Sequence, residues 1–377
     1  MKNALTEMTG CEFPLFAFSH CRDVVAAVTN AGGFGVLGGA GFTPESLEQE
    51  LNWIDDHVGG KPYGIDILVP ENIPAQAKGM SGESLAAQID PKYIDFTVDL
   101  LRKHGIDARP EELIDPHFAL GADEGVGEAL LDVAFRHPIR MAVNALGIAP
   151  QFMIDRAKKH GVPVGALVGA KEHALRQVNA GVDFLVAQGT EAGGHCGEVS
   201  TLVLVPEVIR AIRPVREVPV LAAGGIMTGE QMAAAMAMGA QGVWTGSVWL
   251  TTHEAETSEI FRDKMVAARS RDTVRRTQRT GKPSRQLRSA WHDAWDGPDS
   301  PGTLPMPYMT MLSQPAFAKI DASAAAGNTQ ALDLVSYFVG QGVGLIDARI
   351  SATQVVQNFK EEFADAFGGL VDTVEAE

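Results

Sequence analysis

The sequence predicts an α/β protein built as a (β/α)8 TIM barrel. Between residues 13 and 247, eight short apolar runs alternate with helical segments, and each run is almost continuously apolar. Near-continuous apolar strands are typical of a parallel sheet that is covered on both faces. Eight βα units close such a sheet into a barrel. An open doubly wound sheet is the alternative, but no dinucleotide-binding glycine pattern follows the first strand.

The predicted strands follow one another in chain order. They span residues 13–18, 34–39, 63–70, 139–146, 162–168, 182–187, 218–225 and 242–247. The helix after the second strand has the clearest beginning, because Thr43 is a favoured N-cap residue and Pro44 suits the first helical position. Glu45 adds a negative charge to the first turn, where the helix dipole favours it.

Regular alternation pauses between residues 71 and 137, where the chain is polar and rich in Pro, Asp and Glu. Apolar residues spaced three and four positions apart predict one helix over residues 93–104, and a second helix is predicted over residues 127–136. We therefore expect a helical insertion after the third strand, lying over one end of the fold, rather than a disordered linker.

Residues 256–377 follow the eighth strand. They are predicted to form a C-terminal helical segment that packs beside the barrel of residues 1–255 and partly over its mouth. The basic run from Arg269 to Arg288 is predicted to be a solvated helix and loop. The alternative is that this run contacts a substrate phosphate, for example on a CoA chain.

Composition excludes several classes of function. The formal net charge of the 377 residues is −16, and no basic cluster is dense enough to hold nucleic acid. No apolar run reaches membrane-spanning length. Three scattered cysteines predict neither a disulfide framework nor a metal site. The N-terminus shows no signal-peptide pattern, so a cytoplasmic protein is expected, and a homodimer is compatible with the sequence.

A glycine-rich stretch from Gln188 to Gly197 follows the sixth strand and contains one strong proton-transfer group, His195. A loop without bulk lets backbone N–H groups approach a ligand closely. Active sites of barrels lie at the C-terminal ends of the strands, which is where this loop begins. The alternative is a tight turn with a solvated histidine. Adjacent Cys196 is predicted to be a packed thiol rather than a partner of His195.

Two neighbouring strand ends carry glycines at the positions where barrels often bind a phosphate. Gly224 and Gly225 end the seventh strand, and Thr245, Gly246 and Ser247 end the eighth. Residues predicted to face the same mouth from other strands are Ala17, Phe18, Asp66 and Gln188. Backbone and amide groups around a phosphate cradle suit a planar, polar ring system with a phosphate tail, and flavin mononucleotide (FMN) fits both requirements.

At these residues the chain resembles the nitronate monooxygenase (2-nitropropane dioxygenase) family of FMN-dependent TIM-barrel oxidoreductases. That family includes enoyl-thioester reductases and quinone reductases of the same build. The matching stretches are residues 30–38, 187–195, 222–226 and 238–247, with weaker matches at 280–285 and 340–344. The Glu-Ala-Gly-Gly-His sequence that ends at His195 is the most specific of them.

The resemblance implies bound FMN and assigns roles to the candidate residues. Gln188, Gly193 and Gly194 would lie near the isoalloxazine ring or the ribityl chain. The phosphate would lie at Gly224, Gly225, Gly246 and Ser247. His195 would lie beside the reactive flavin nitrogen, where an imidazole can act as a general acid or base.

The sequence departs from the family pattern at two places near the flavin. The usual Ala-Pro-Met after the first strand is replaced by Ala17-Phe18-Ser19-His20. The usual Asn of the third strand is Asp66, which cannot donate a hydrogen bond when it is ionised.

The expected function is FMN-dependent oxidation of alkyl nitronates, or of a related substrate with an acidic carbon, by O2. The alternative is a reductase or dehydrogenase acting on an enoyl or acyl thioester or a quinone, with NAD(P)H as co-substrate. A phosphosugar lyase or isomerase is disfavoured because no strand-end lysine suits a Schiff base.

Overall fold

The computed structural model describes residues 1–67, 80–118, 124–145 and 147–375. Eight parallel strands close into a barrel, and their order around it is their order along the chain. They are β1 Leu15–Ser19, β2 Phe34–Gly38, β3 Gly64–Ile67, β4 Ala142–Asn144, β5 Val164–Val168, β6 Phe184–Gln188, β8 Val220–Ala223 and β9 Val243–Thr245. The predicted barrel is confirmed. The predicted ends of the third and fourth strands, residues 68–70 and 146, lie outside the described residues.

The described helices lie in the outer ring of the barrel, in the insertion after β3 and in the segment after β9. They are α1 Ala4–Thr9, α2 Arg22–Asn30, α3 Pro44–His57, α4 Gly82–Ala86, α5 Pro91–Lys103, α6 Glu124–Ala134, α7 Gln151–His160, α8 Lys171–Ala180, α9 Thr201–Ile212, α10 Gly229–Ala237, α11 Glu259–Ala267, α12 Ala290–Trp295, α13 Tyr308–Ala325 and α14 Ala352–Glu375. Thr43 caps α3 as predicted: its side chain accepts a hydrogen bond from the N–H of Ser46, and Pro44 begins the helix. None of the described helices is long and apolar enough to cross a membrane.

Aromatic side chains fill the barrel interior, where Phe16, Phe34, Phe184 and Trp244 are buried in one cluster. Glycines on neighbouring strands make room for these rings. A Cβ added to Gly165 would lie 2.2 Å from the ring of Phe184, so only glycine fits beneath that ring. The residues that alternate with these along each strand, such as Leu15 and Ile65, point outward and pack against the helices. Both strand faces are therefore buried, as the continuous apolar runs predict.

The last helix, α14, packs against α10 and α2 and so lies in the outer helical ring. Glu362 of α14 accepts a hydrogen bond from the N–H of Gly229 at 2.7 Å, and Lys360 donates to the carbonyl of Ala31 at 2.7 Å. The chain between β9 and α14 thus leaves the barrel and returns to it. The division of the chain at residue 255 stays a prediction.

The prediction for the basic run from Arg269 to Arg288 is wrong. This run contains two antiparallel strands, β10 (Thr273–Arg276) and β11 (Ser284–Leu287), and β11 also pairs with β7 (Gly194–His195). Arg279 and Arg285 are buried rather than solvated. The segment after β9 therefore contributes a small sheet as well as helices, and this sheet lies directly on the glycine-rich loop.

The insertion after β3 is helical as predicted, and its described part packs on the segment after β9. Leu85 and Ile89 form a small apolar core with Met311 of α13. The ring of Phe96 meets Trp295 edge-on, with ring centroids 4.8 Å apart. Helix α6 lies instead against α3 in the outer ring. That the insertion covers the substrate side of the flavin stays a prediction.

Candidate active site

The predicted site residues divide into two groups according to the face of their strand. Alternate residues of a strand face the same side of the sheet, and the interior is marked by Phe16, Gly64, Phe184 and Trp244. By this alternation, four predicted site residues face the inside of the barrel at its C-terminal end: Phe18, Asp66, Gln188 and Gly246. Ala17 packs in the outer core, and the Thr245 hydroxyl donates to the carbonyl of Phe16. These two residues can therefore offer only backbone groups to the mouth.

The glycine-rich loop begins at the end of β6 and is held by its neighbours at several points. The N–H of Gly189 donates to the carbonyl of Ala223 on β8 at 2.9 Å. Gly193 touches the backbone of Gly340, because an added Cβ would lie 2.9 Å from the N atom of Gly340. His195 pairs with Ser284 of β11 in the small sheet. The loop is thus clamped between the barrel and the segment after β9.

Among the described residues, the imidazole of His195 makes one hydrogen bond, between Nε2 and Oγ1 of Thr280 at 2.8 Å. Within the described part of the chain, Nδ1 has no partner and no carboxylate contacts the ring. Burial, and secondly the positive charge of Lys282, lower the pKa of His195 to about 4. The imidazole is therefore neutral at physiological pH and can accept a proton. The predicted separation of Cys196 from His195 agrees with the geometry, since the thiol donates to the carbonyl of Thr190.

The end of β8 is closely packed. Glu191 of the loop accepts hydrogen bonds from the N–H and the hydroxyl of Thr201, at the first turn of α9. A Cβ on Gly224 would lie 2.7 Å from that hydroxyl oxygen, and Gly224 has φ +108°. Gly225, with φ +72°, has the Cβ of Glu191 as its nearest neighbour, at 3.0 Å from an added Cβ. Glycine is required here by conformation as well as by space.

The end of β9 is open by comparison. A Cβ added to Gly246 would meet nothing nearer than Phe18 Cδ1 at 4.0 Å. The Ser247 hydroxyl accepts a hydrogen bond from the N–H of Gly340 at 2.9 Å, so its own proton remains available to a ligand. An open backbone beside a hydroxyl group that can donate its proton suits a phosphate. The amide of Gln188 is half-buried and has no hydrogen-bond partner among the residues described. These groups fit FMN.

Asp66 is a carboxylic acid enclosed in the barrel, with only 5% of its surface exposed. Its neighbours in the sheet are Gly38 on β2 and Val143 on β4, and neither carries a charge. No hydrogen bond or ion pair reaches the Asp66 carboxyl from the described residues. Burial raises its pKa to about 8. The carboxyl is thus mostly protonated at pH 7 and can donate a hydrogen bond, as the asparagine usual in the family would.

Three residues of the small sheet and its turn were not recognised as site residues from the sequence. Arg275 donates to the carbonyl of Cys196 at 3.1 Å, and Arg285 donates to the carbonyl of Thr190 at 2.8 Å, so both hold the glycine-rich loop. Thr280 holds His195. The available signal was β-branched residues at the start of the run, followed by a Gly-Lys-Pro turn, which is a hairpin pattern.

His20 and Phe18 lie at the opposite side of the mouth. The ring of His20 meets Phe18 edge-on at 5.2 Å, and its Nδ1 lies 2.9 Å from the carbonyl oxygen of Gly38. Helix α2 has Cys21 at its N-cap and no side-chain capping bond. His20 therefore lies beside Phe18 and Gly38 at the strand ends and does not cap the helix.

The sequence profile of the family described as nitronate monooxygenase matches residues 2–362. The chain belongs to the nitronate monooxygenase family. A candidate monooxygenase of Mycobacterium tuberculosis is 50% identical over 377 residues, which is 100% of each chain. A candidate nitronate monooxygenase of Staphylococcus saprophyticus is 27% identical over 376 residues, covering 95% of this chain and 96% of the relative.

Solved structures agree with this membership. Nitroalkane oxidase from Streptomyces ansochromogenes superposes with a TM-score of 0.79 at 26% identity, covering 98% of this chain and 100% of that one. FabK from Thermotoga maritima has a TM-score of 0.68 at 24% identity, covering 99% of each chain, and this likeness shows the fold alone. The predicted family, the barrel and the prediction of an oxidoreductase enzyme are confirmed.

Proposed function

We propose that this member of the nitronate monooxygenase family binds FMN and oxidises alkyl nitronates with O2. The observation that carries the proposal is His195: a neutral imidazole, bonded to Thr280, in a loop that follows β6 and is clamped between the barrel and the segment after β9, with Lys282 nearby. The open end of β9 and the amide of Gln188, which no described residue bonds, support FMN as the cofactor. Bound FMN would supply the redox chemistry, taking electrons from the substrate carbon and passing them to O2.

The protein groups favour a substrate that is already an anion. Lys282 is exposed, and none of the described carboxylates pairs with it. Its charge attracts a nitronate to a site on a protein whose formal net charge is −16. His195, with its pKa lowered to about 4, is in the correct state to accept a proton but provides little driving force for taking one. A neutral nitroalkane should therefore react more slowly than its nitronate.

The visible spectrum of the purified protein is the first test, followed by anaerobic reduction with an alkyl nitronate and, separately, with NADH. We expect a flavin spectrum, reduction by the nitronate, and O2 consumption when air is readmitted. A protein that binds no flavin on reconstitution would refute the proposal. Reduction by NADH alone would replace it with the reductase alternative.

Replacing His195 tests its role. Asparagine keeps a hydrogen-bonding group but removes the proton transfer, so turnover of a neutral nitroalkane should fall about a hundredfold, a usual loss for a general base. Turnover of the nitronate should change much less, and FMN should stay bound. Cys196→Ser, in the same loop, is the matched control and should leave both rates near those of the unmodified protein. Equal, mild effects of His195→Asn on both substrates would mean that His195 only shapes the pocket.

A further inference from the structure

Thr280 contacts His195 from the turn that joins β10 to β11, and this turn is firmly placed. Its hydroxyl oxygen lies 2.8 Å from Nε2 of His195, and only 5% of Thr280 is exposed. The next residue, Gly281, has φ +81°, and an added Cβ would lie 2.2 Å from the N atom of Met306. The hydroxyl of Thr310 on α13 donates to the carbonyl of Thr280 at 3.4 Å. The Thr280 hydroxyl therefore meets His195 from a fixed backbone.

The hydrogen bonds of this hydroxyl decide which nitrogen of His195 carries the proton. A hydroxyl has one proton to donate and two lone pairs with which to accept. Thr280 Oγ1 lies 3.1 Å from the carbonyl oxygen of Lys282, which can only accept, and 3.3 Å from the N–H of Lys282, which can only donate. If the proton goes to that carbonyl, the oxygen accepts from Lys282 N–H and from Nε2–H of His195, and all three contacts are satisfied.

The opposite arrangement leaves a contact unsatisfied. If the hydroxyl donated to Nε2 of His195, its oxygen would face the carbonyl oxygen of Lys282 with no proton between them. Two oxygens that both accept repel each other at hydrogen-bond distance. Because Thr280 is nearly enclosed, water cannot readily relieve this contact.

We propose that Thr280 is a positioning residue that holds His195 with its proton on Nε2, so that Nδ1 is the atom that accepts a proton. The inference rests on the proposed function for its chemical consequence. With a neutral nitroalkane, the α C–H bond breaks, its proton forms an N–H bond with Nδ1 of His195, and the electron pair stays on the substrate as the nitronate. Thr280 stabilises the resulting imidazolium by continuing to accept from Nε2–H.

Nδ1 is suited to this role because nothing else in the described chain uses it. The bond to Thr280 fixes the orientation of the His195 ring, and the strand pairing of His195 with Ser284 holds its backbone in place. Lys282, two residues beyond Thr280, attracts the nitronate that the step produces. One turn thus orients the base and stabilises the anion.

The test combines a structural readout with kinetics on the flavin-loaded protein. Histidine labelled with ¹⁵N gives two-bond ¹H–¹⁵N correlations that distinguish the two neutral forms, and His195→Asn identifies the signals of His195. We expect a protonated Nε2 and an unprotonated Nδ1 at pH 7. A protonated Nδ1 in the unmodified protein would overturn the proposal, whatever the protein oxidises. Failure of the proposed function would instead appear as absent flavin or absent oxidation, so the two failures are distinguishable.

Variants of Thr280 supply the kinetic arm. Thr280→Val keeps the shape but removes the hydroxyl, and kcat for a neutral nitroalkane should fall roughly tenfold or more, with nitronate oxidation changed by less than about threefold. Thr280→Ser keeps the hydroxyl and should restore most of the rate. Thr277→Val is the matched control, since the Thr277 hydroxyl in the same turn bonds Thr303 rather than His195. If Thr280→Val behaved like Thr277→Val, or if serine failed to restore the rate, the positioning role would be wrong.

Discussion

Replacing Asp66 by asparagine is expected to stabilise the protein, and increasingly so as the pH rises. Asp66 lies between Gly38 and Val143 in the sheet, and burial raises the pKa of its carboxyl from 3.8 to about 8. Between these two pH values the folded state keeps a proton that the unfolded state has lost. The free energy of unfolding must therefore fall as the pH rises through this window. Asparagine does not titrate, so the variant lacks this contribution.

The size of the effect follows from the two pKa values. Each pH unit within the window lowers the free energy of unfolding by about 1.4 kcal/mol for one proton. Between pH 3.8 and pH 7 this amounts to about 4 kcal/mol, and above pH 8 it levels off near about 6 kcal/mol. The two proteins should be almost equally stable near pH 4, because a protonated carboxyl and an amide are both neutral.

Urea denaturation of the flavin-free protein at half-unit steps from pH 4.5 to 8.5 measures the difference directly. Subtracting the two curves cancels the titration of every other group. Asp56→Asn is the control, since it makes the same substitution at an exposed aspartate on α3. Parallel curves for the Asp66 variant and the unmodified protein would show that the carboxyl is ionised or solvated in the folded state, contrary to this prediction.

Three further changes test the mouth of the barrel. Lys282→Gln should raise KM for a nitronate several-fold at low salt and much less at high salt, because screening weakens the attraction of an exposed charge; a salt-independent effect would contradict this. Gly340→Val should lower the flavin-to-protein ratio, since a Cβ there would lie 2.6 Å from the carbonyl oxygen of Glu191; Gly368→Val, in open space on α14, is its control. Phe96→Ala should change the substrate range with FMN retained, because it loosens the contact with Trp295; an unchanged range would argue against a covering insertion.

The barrel could be predicted because both faces of its strands are apolar. In β6, Phe184 and Val186 face the interior while Leu185 and Ala187 face the helices, and all four are apolar. A continuous apolar run is what a doubly covered parallel strand requires. The glycine-rich character of the loop after β6 is plain from the sequence, but the contact that Gly193 makes with the backbone of Gly340 could not be inferred from that stretch alone.

The small sheet over the loop was missed because its charged residues suggested solvent. Arg275 and Arg285 donate to backbone carbonyls that lie 79 and 95 residues away in the chain. A guanidinium that satisfies backbone acceptors at such separations has the same local sequence as one that faces water. The hairpin turn was visible in the sequence, but the partner that buries it was not.

The protonation states of Asp66 and His195 could not be predicted from the sequence, because they depend on burial in the fold. The sequence identifies Asp66 and His195 as titratable groups near the flavin, and their usual pKa values would make the first a carboxylate and leave the second near its titration point at neutral pH. Burial shifts the pKa values in opposite directions, to about 8 and about 4, and so makes both groups neutral at pH 7. Lys282, which the described carboxylates leave unpaired, then contributes an uncompensated charge beside His195. Neutral interior groups with the charge of Lys282 beside His195 favour an anion, even on a chain with a formal net charge of −16.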